Sequence, residues 1–272
     1  MKRTLIAGAA FASLLAATNA LAADLPVYSK APAVAAVYDW TGLYIGTNLG
    51  YSWGRASTNG AVTTNSLAPV AAFPTIVAPL YGRSDVNGFI GGGQLGYNWQ
   101  FGSWLAGLEG DIQFSNERAS GIVCNAIGCP VGSTVFTRDY KLDWFGTARG
   151  RIGFLPAERI LLYATGGLAY GGFSGSSWTL PLNVGTWSHT QAGWTVGAGV
   201  EAALGSNWSI KFEYLYMDLG HVGGSSAVTT TVAPVGTTTV LSYVFNTRFT
   251  DSIARVGLNY KFGGPTAVVA RY

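Results

Sequence analysis

The sequence predicts an all-β fold, an eight-stranded antiparallel transmembrane β-barrel with four long extracellular loops and three short periplasmic turns. Apolar and polar residues alternate with a period of two in eight separate segments. Long and short connections also alternate strictly along the chain. The mean hydropathy is positive, at +0.27, although no run of about 18 apolar residues follows the N-terminal segment. Strands with one lipid-facing side explain all three observations.

The N-terminal residues predict export. Lys2 and Arg3 precede an apolar run from Leu5 to Ala17, and small residues follow. This pattern is typical of a signal peptide, here 1–22, whereas an uncleaved membrane anchor is the alternative. Its removal reduces the 16 basic residues to 14, against 13 acidic ones, and this near neutrality excludes a nucleic-acid partner. The Pro- and Ala-rich residues 23–38 predict a periplasmic linker, residues 39–263 the barrel, and 264–272 a C-terminal tail.

The first four strands are predicted at 39–53, 88–101, 104–114 and 139–154. In the first three, large apolar residues alternate with glycine and polar residues. The fourth has the clearest pattern, because its even positions carry no charge and its odd positions carry five charged side chains. We expect its even face, with Tyr140 near the outer boundary, to contact lipid.

The last four strands are predicted at 159–173, 190–204, 208–219 and 249–262. The fifth is rich in glycine and aromatic residues, so its two faces cannot be distinguished. The other three alternate apolar residues with acids and bases.

The connections predict the orientation. Long loops are predicted at 55–85, 116–138, 174–189 and 220–246, and short turns near 102–103, 155–158 and 205–207. Bacterial outer-membrane barrels show this asymmetry, with short turns on the periplasmic side. The last loop is nearly mirror-symmetric about 233–236, which predicts a hairpin that continues its flanking strands.

Charged side chains are expected inside the barrel if the apolar faces contact lipid. The predicted interior ionic network has six acids and six bases: Glu109, Asp111, Asp143, Glu201, Glu213, Asp251, Lys141, Arg149, Arg151, Lys211, Arg255 and Lys261. An unpaired charge in a narrow lumen costs several kcal/mol, so balance is expected. We interpret these residues as structural rather than catalytic.

Aromatic residues cluster beside the short turns, where a girdle at the membrane interface is expected. The predicted periplasmic girdle consists of Trp99, Phe101, Trp104, Phe154, Trp208 and Phe262. In the second long loop, Cys124 and Cys129 predict a small disulfide ring, with a metal or redox site as the alternative. No cofactor and no metal is expected.

Four segments, DWTGLYIG, WFGTARGRIGF, RILLYATGGLAYGG and RVGLNYKFGGP, together resemble the alphaproteobacterial OmpA-like, opacity-type barrel family. Its members are often called porin-family or outer-membrane immunogenic proteins. The resemblance implies a surface-exposed protein of the bacterial outer membrane. Its expected partners are outer-membrane lipid, lipopolysaccharide and the barrel-assembly machinery, for which either Tyr272 or Phe262 is the C-terminal aromatic signal.

The predicted function is structural, in envelope integrity and in surface interaction with extracellular or host ligands through the loops. One alternative is a narrow low-conductance channel, although eight strands leave a lumen that side chains fill. Another is a loop site for a haem-type ligand at His189 and His221. No enzyme is predicted, because Ser188 beside His189 has no acid that can be placed with it as a catalytic triad.

Overall fold

The computed structural model describes residues 38–67, 76–124, 135–179, 182–232 and 237–263. They form a closed antiparallel barrel of eight strands in sequence order, which confirms the predicted architecture. The strands are β1 (Gly42–Leu67), β2 (Ile76–Phe101), β3 (Trp104–Cys124), β4 (Val135–Ala157), β5 (Ile160–Thr179), β6 (Leu182–Ala203), β7 (Trp208–Val232) and β8 (Thr237–Lys261). Closure comes from pairing of β1 with β8, from Tyr44 opposite Lys261 to Leu67 opposite Thr238. Within these ranges, no helix is long and apolar enough to span a membrane.

The strands are much longer than predicted. They contain 20 to 26 residues, whereas about 9 to 11 suffice to cross a bilayer. The predicted loops at 55–85, 116–138 and 174–189 are therefore wrong over most of their length, because paired strands occupy them. In these segments the outward positions carry polar side chains, such as Asn59, Arg83 and Asp85. Strand pairing therefore continues without the apolar–polar alternation that identifies a strand in sequence. The predicted hairpin at 220–246 is confirmed, since β7 and β8 pair as far as Val232 and Thr237.

The three short connections lie at one end of the barrel, here called the turn end, and the opposite end is the outer end. They are formed by 102–103, 158–159 and 204–207, as predicted. Gly102 has a φ of 61°, a left-handed conformation that glycine adopts without steric cost.

Three layers of side chains occupy the described part of the barrel interior. At the turn end, an apolar layer contains Tyr38, Trp40, Leu105, Leu155, Leu161 and Tyr163. Charged side chains form the middle layer. The outer half holds a second apolar layer of Ala56, Val86, Ile90, Tyr140, Leu142, Phe145, Ala169, Phe173, Leu215, Met217, Leu219, Phe249 and Ile253. The charges are therefore enclosed between two layers that exclude water.

A break in the alternation of β4 corrects the predicted faces of this strand. The register of β4 against β5 shifts between Leu142 and Trp144, as at a β-bulge. Leu142 and Tyr140 are consequently buried, whereas Lys141 and Asp143 are partly exposed and pair with each other. The predictions that Tyr140 contacts lipid and that Lys141 and Asp143 belong to the interior network are wrong, because one extra residue reverses the orientation of every side chain beyond it.

Candidate functional site

The middle layer is a buried ionic cluster built from five strands. It contains four acids and four bases, Glu109, Asp111, Glu201, Glu213, Arg149, Arg151, Lys211 and Arg255. Inward positions on a strand recur every second residue, so β3, β4 and β7 each supply two adjacent members. The side chains are at most 3% exposed. We call this group the ionic cluster.

Arg149 lies at the centre of the ionic cluster and contacts three carboxylates. Its Nη2 donates to Glu109 Oε1 at 2.5 Å and to Asp111 Oδ2 at 2.9 Å. Its Nη1 donates to Glu213 Oε1 at 3.1 Å, and its Nε donates to the hydroxyl of Thr147 at 2.9 Å. The guanidinium thus connects β3, β4 and β7 through the lumen.

Arg255 and Lys211 complete the coordination of the same carboxylates. Arg255 Nε donates to Glu213 Oε2 at 2.7 Å, and its Nη2 donates to Asp111 Oδ2 at 2.9 Å. Lys211 Nζ lies 2.9 Å from both carboxylate oxygens of Glu109. Each of the three acids therefore has at least one base within direct hydrogen-bonding distance.

Arg151 extends the ionic cluster toward the turn end. Its Nη1 donates to Glu201 Oε2 at 3.2 Å and its Nε to Asn98 Oδ1 at 2.9 Å. The guanidinium lies 4.8 Å from the ring centroid of Tyr44 and 5.3 Å from that of Tyr163. Both phenol groups also donate to carboxylates, Tyr44 to Glu109 at 2.6 Å and Tyr163 to Glu213 at 3.0 Å. Cation–π contacts and hydrogen bonds thus join the ionic and apolar layers.

Two glycines make room for these tyrosines. A Cβ atom at Gly96 would overlap the phenol of Tyr44, and one at Gly199 would lie 2.5 Å from the hydroxyl of Tyr163. Glycine at these inward positions leaves the space that the two phenol groups occupy. At these two positions the absence of a side chain serves the packing of the lumen.

The charge balance of the ionic cluster suits a structural role. Four positive groups meet four negative groups without access to solvent. Each base contacts at least one carboxylate. Such a network stabilises the barrel only while it is complete, because loss of one partner leaves a buried charge.

Two further acids lie inside the barrel, apart from the ionic cluster. Asp251 is buried and accepts a hydrogen bond of 2.5 Å from Ser52. Glu117 is also buried, accepts from Ser115 at 3.0 Å and lines the same small cavity as Asp251. Among the described residues, neither has a basic group within 4.0 Å. The sequence prediction included Asp251 but missed Glu117, because the predicted third strand ended at residue 114. Glu117 lies at an odd position of β3, as Glu109 and Asp111 do, so a longer predicted strand would have placed it inside the barrel.

Lys261 and the residues before β1 close the turn end. Lys261 Nζ donates to the carbonyl of Asp39 and lies 4.9 Å from the ring centroid of Tyr38. Trp40 is 1% exposed, and its indole Nε1 donates to the carbonyl of Glu158 at 3.1 Å. Burial and the nearby Glu201 raise the pKa of Tyr38 to about 12, so its hydroxyl stays protonated at neutral pH. The predicted linker 23–38 thus ends before Tyr38, which packs into the barrel.

Exposed aromatic side chains surround the barrel at two heights. All six predicted girdle residues, Trp99, Phe101, Trp104, Phe154, Trp208 and Phe262, have exposed side chains near the turn end. A second set lies nearer the outer end and includes Trp53, Phe89, Phe114, Tyr170 and Trp194. Between the two sets the exposed residues are mainly aliphatic, such as Leu49, Leu108 and Leu168. A band of this kind is typical of a lipid-facing surface.

The remaining predicted sites are the cysteine pair, the C-terminal aromatic signal and the two histidines. Cys129 and Tyr272 lie outside them, so the disulfide and the choice between Tyr272 and Phe262 as assembly signal stay predictions. His189 and His221 are exposed on β6 and β7, and the ring of His189 hydrogen-bonds Gln191 at 3.2 Å. Within the described ranges, no group of three or more His, Cys, Asp or Glu side chains could hold a metal ion.

Comparison with known protein families gives a match over nearly the whole chain. Residues 7–262 match the family model described as "Outer membrane protein beta-barrel domain". The 31 kDa outer-membrane immunogenic protein of Brucella melitensis is 38% identical over 262 residues, which cover 90% of this chain and 95% of the relative. The 25 kDa outer-membrane immunogenic protein of Brucella abortus is 29% identical over 93% of this chain and 92% of its own.

Comparison with solved structures gives more distant matches. The outer-membrane protein OprG of Pseudomonas aeruginosa is 11% identical with a TM-score of 0.40, and the match covers 84% of this chain and 99% of that one. The outer-membrane protease OmpT of Escherichia coli is 10% identical with a TM-score of 0.45, with coverage of 83% and 98%.

Proposed function

The chain belongs to the outer-membrane protein β-barrel domain family, and on this premise we propose that it is a sealed barrel with a structural role in the envelope. It is located in the outer membrane, as its relatives' names state. In this role the protein occupies the membrane without conducting solutes and presents its outer end to ligands outside the cell.

The observation that supports this proposal is the filled lumen. Polar solutes that entered from the outside would first meet the outer apolar layer, where the rings of Phe173 and Phe249 stack with centroids 4.3 Å apart. They would then meet the ionic cluster, and finally Trp40 at the turn end. Displacement of a cluster residue would leave unpaired buried charges, at a cost of several kcal/mol. A stable open path is therefore not expected.

Removal of the gene from its host would test this role. A structural protein predicts faster entry of a hydrophobic dye such as N-phenylnaphthylamine into intact cells, since the outer leaflet is less well ordered without the barrel. Entry of a small hydrophilic cephalosporin is expected to stay the same, as measured by its hydrolysis in the periplasm. Slower entry of the cephalosporin, restored by the wild-type gene, would contradict the proposal and support a channel.

The exposed histidines support a second candidate function, capture of a haem-type ligand at the outer end. His189 and His221 lie on consecutive strands, and these strands pair with each other only between Trp194–Ala203 and Ser209–Asp218 in the described residues. Both histidines thus lie on parts of β6 and β7 that are not paired with each other. Spectroscopic titration of the purified protein with haemin should show weaker binding in the His189→Ala, His221→Ala double variant. Unchanged affinity would exclude these residues.

We infer that the protein is not an enzyme. The ring of His189 bonds Gln191 rather than an acid, which leaves Ser188 without an oriented base. Release of fatty acid from phospholipid by the purified protein, abolished by Ser188→Ala, would contradict this inference. The assembly machinery and outer-membrane lipid are the partners that this role requires.

A further inference from the structure

The outer wall carries a polar cavity that none of the functions above uses. Its volume is about 790 Å³, and it extends across β3, β4, β5 and β6. The polar side chains that line it are Arg118, Ser120, Asp139, Lys141, Ser174, Ser176, Thr186 and Ser188. We call this group the wall cavity. It includes Lys141, which the β4 bulge turns outward.

Strand register arranges the lining in two parallel rows. Arg118 pairs with Lys141, Lys141 with Ser174, and Ser174 with Ser188. The second row runs in the same way from Ser120 through Asp139 and Ser176 to Thr186. The residues of the two rows are two positions apart on each strand, so they share one face. The wall cavity is therefore a continuous feature of the paired sheet rather than a chance grouping of loop residues.

The height of the wall cavity corresponds to the lipid headgroups. Tyr170 belongs to the outer set of exposed aromatic residues, and its ring centroid lies 6.0 Å from that of the partly exposed Trp144. Such rings lie at the membrane interface. Lys141 is three residues beyond Trp144 toward the outer end of β4, and Arg118 pairs with Lys141. The polar rows thus begin immediately outside the aromatic set.

The lining offers both charged and neutral hydrogen-bonding groups. Lys141 pairs with Asp143, which also accepts from Ser174 at 2.6 Å. Arg118 is exposed, and no carboxylate oxygen of the described residues lies within 4.0 Å of its guanidinium. The guanidinium is thus available for a phosphate, which it can bind with two parallel hydrogen bonds. Carboxylate and hydroxyl groups are suited to the hydroxyls of a sugar.

We propose that the wall cavity binds the phosphorylated sugar headgroup of a glycolipid in the outer leaflet, that is, lipopolysaccharide. Arg118 and Lys141 contact a phosphate, and Asp139 with the serine hydroxyls contacts the sugar ring. The acyl chains continue along the aliphatic surface below Trp144. The site deepens the proposed function by assigning it a lipid partner, and it rests on the outer-membrane location. It does not depend on the sealed lumen, so its failure would leave the solute-entry result unaffected.

Binding of lipopolysaccharide with a short core by the purified full-length protein in non-ionic detergent would test the site. The quenching of tryptophan fluorescence, to which Trp144 contributes, measures the affinity. The Arg118→Ser, Lys141→Ser double variant should bind at least about tenfold more weakly, since one charge-assisted contact of roughly 1.4 kcal/mol gives a factor of ten. Heat-modifiable migration on gels shows whether each variant is folded.

A matched control is available on β1 and β2. Arg55 and Arg83 are exposed near the outer end but do not line the wall cavity. The Arg55→Ser, Arg83→Ser double variant should keep the wild-type affinity. Equal weakening in both double variants would show general charge attraction and overturn the proposal. Equal binding of dephosphorylated lipopolysaccharide, or equal competition by phosphatidylglycerol or inorganic phosphate, would also overturn it, because the headgroup would not then be recognised.

Discussion

At the scale of single residues, the role of Arg149 shows how a buried charge can stabilise a barrel. Its guanidinium contacts Glu109, Asp111 and Glu213 at 2.5 to 3.1 Å. Without it, these three buried carboxylates keep hydrogen bonds from only Lys211 and Arg255 among the bases of the described residues. One buried negative charge is then uncompensated, which favours unfolding. The ionic cluster thus stabilises the folded barrel only when all of its charged side chains are present, and no single ion pair accounts for the effect.

Arg149→Ala should lower the free energy of unfolding by about 3 to 5 kcal/mol. Urea unfolding in lipid vesicles, followed by tryptophan fluorescence, measures this change. The matched control is Lys141→Ala, which removes a base from an exposed pair and should cost no more than about 1 kcal/mol. A similar small loss in both variants would show that the ionic cluster is not a main source of stability.

The buried bases of the ionic cluster could be predicted from sequence because the alternation of their strands is regular. Arg149 and Arg151 follow the period of two on β4, as do Glu109 and Asp111 on β3. Glu117 was not predicted in this way, because the residues beside it, Asn116 and Arg118, are polar and do not continue the apolar–polar alternation of the strand. The partners across the lumen, such as Glu213 on β7 for Arg149, could not be predicted, because they depend on how far each strand is shifted against the next.

At the scale of strands, the bulge in β4 decides which residues meet lipid or solvent. From Phe154 to Trp144 the even positions face outward, and beyond the register shift the odd positions do. A sequence pattern alone does not locate such an insertion, because both continuations alternate equally well. The predicted faces were therefore correct on one side of the bulge and reversed on the other.

Labelling of single cysteines would test the reversal. Lys141→Cys and Asp143→Cys should react on intact cells with a maleimide that does not cross the membrane, because both side chains are partly exposed. Tyr140→Cys and Leu142→Cys should be protected, since these positions are buried in the outer apolar layer.

Two conditions make this labelling experiment interpretable. The native Cys124 and Cys129 need to be replaced by serine, so that only the introduced thiol reacts. Labelling after unfolding in detergent then shows that all four thiols are present. Protection at positions 141 and 143 with labelling at 140 and 142 would show that β4 has no bulge at this point.

At the scale of the whole molecule, the barrel combines a lipid-facing outside with an inside that resembles the core of a water-soluble protein. Alternation and connection lengths in the sequence predicted eight strands, their order and the turn end. They did not predict the outer apolar layer, because the inward residues were assumed to be polar throughout. Residues such as Phe145, Met217 and Phe249 lie on that inward face and close the lumen that polar residues alone would leave hydrated.

Single-channel recording in planar lipid bilayers tests the proposed sealed barrel most directly. The wild-type protein should produce no conductance steps, whereas a Phe145→Ser, Phe173→Ser, Phe249→Ser variant, which loses three rings of the outer apolar layer, should produce small and irregular ones. The variant serves as a control that the barrels have inserted. Regular steps of one size from the folded wild-type protein would contradict the sealed barrel and show that it conducts.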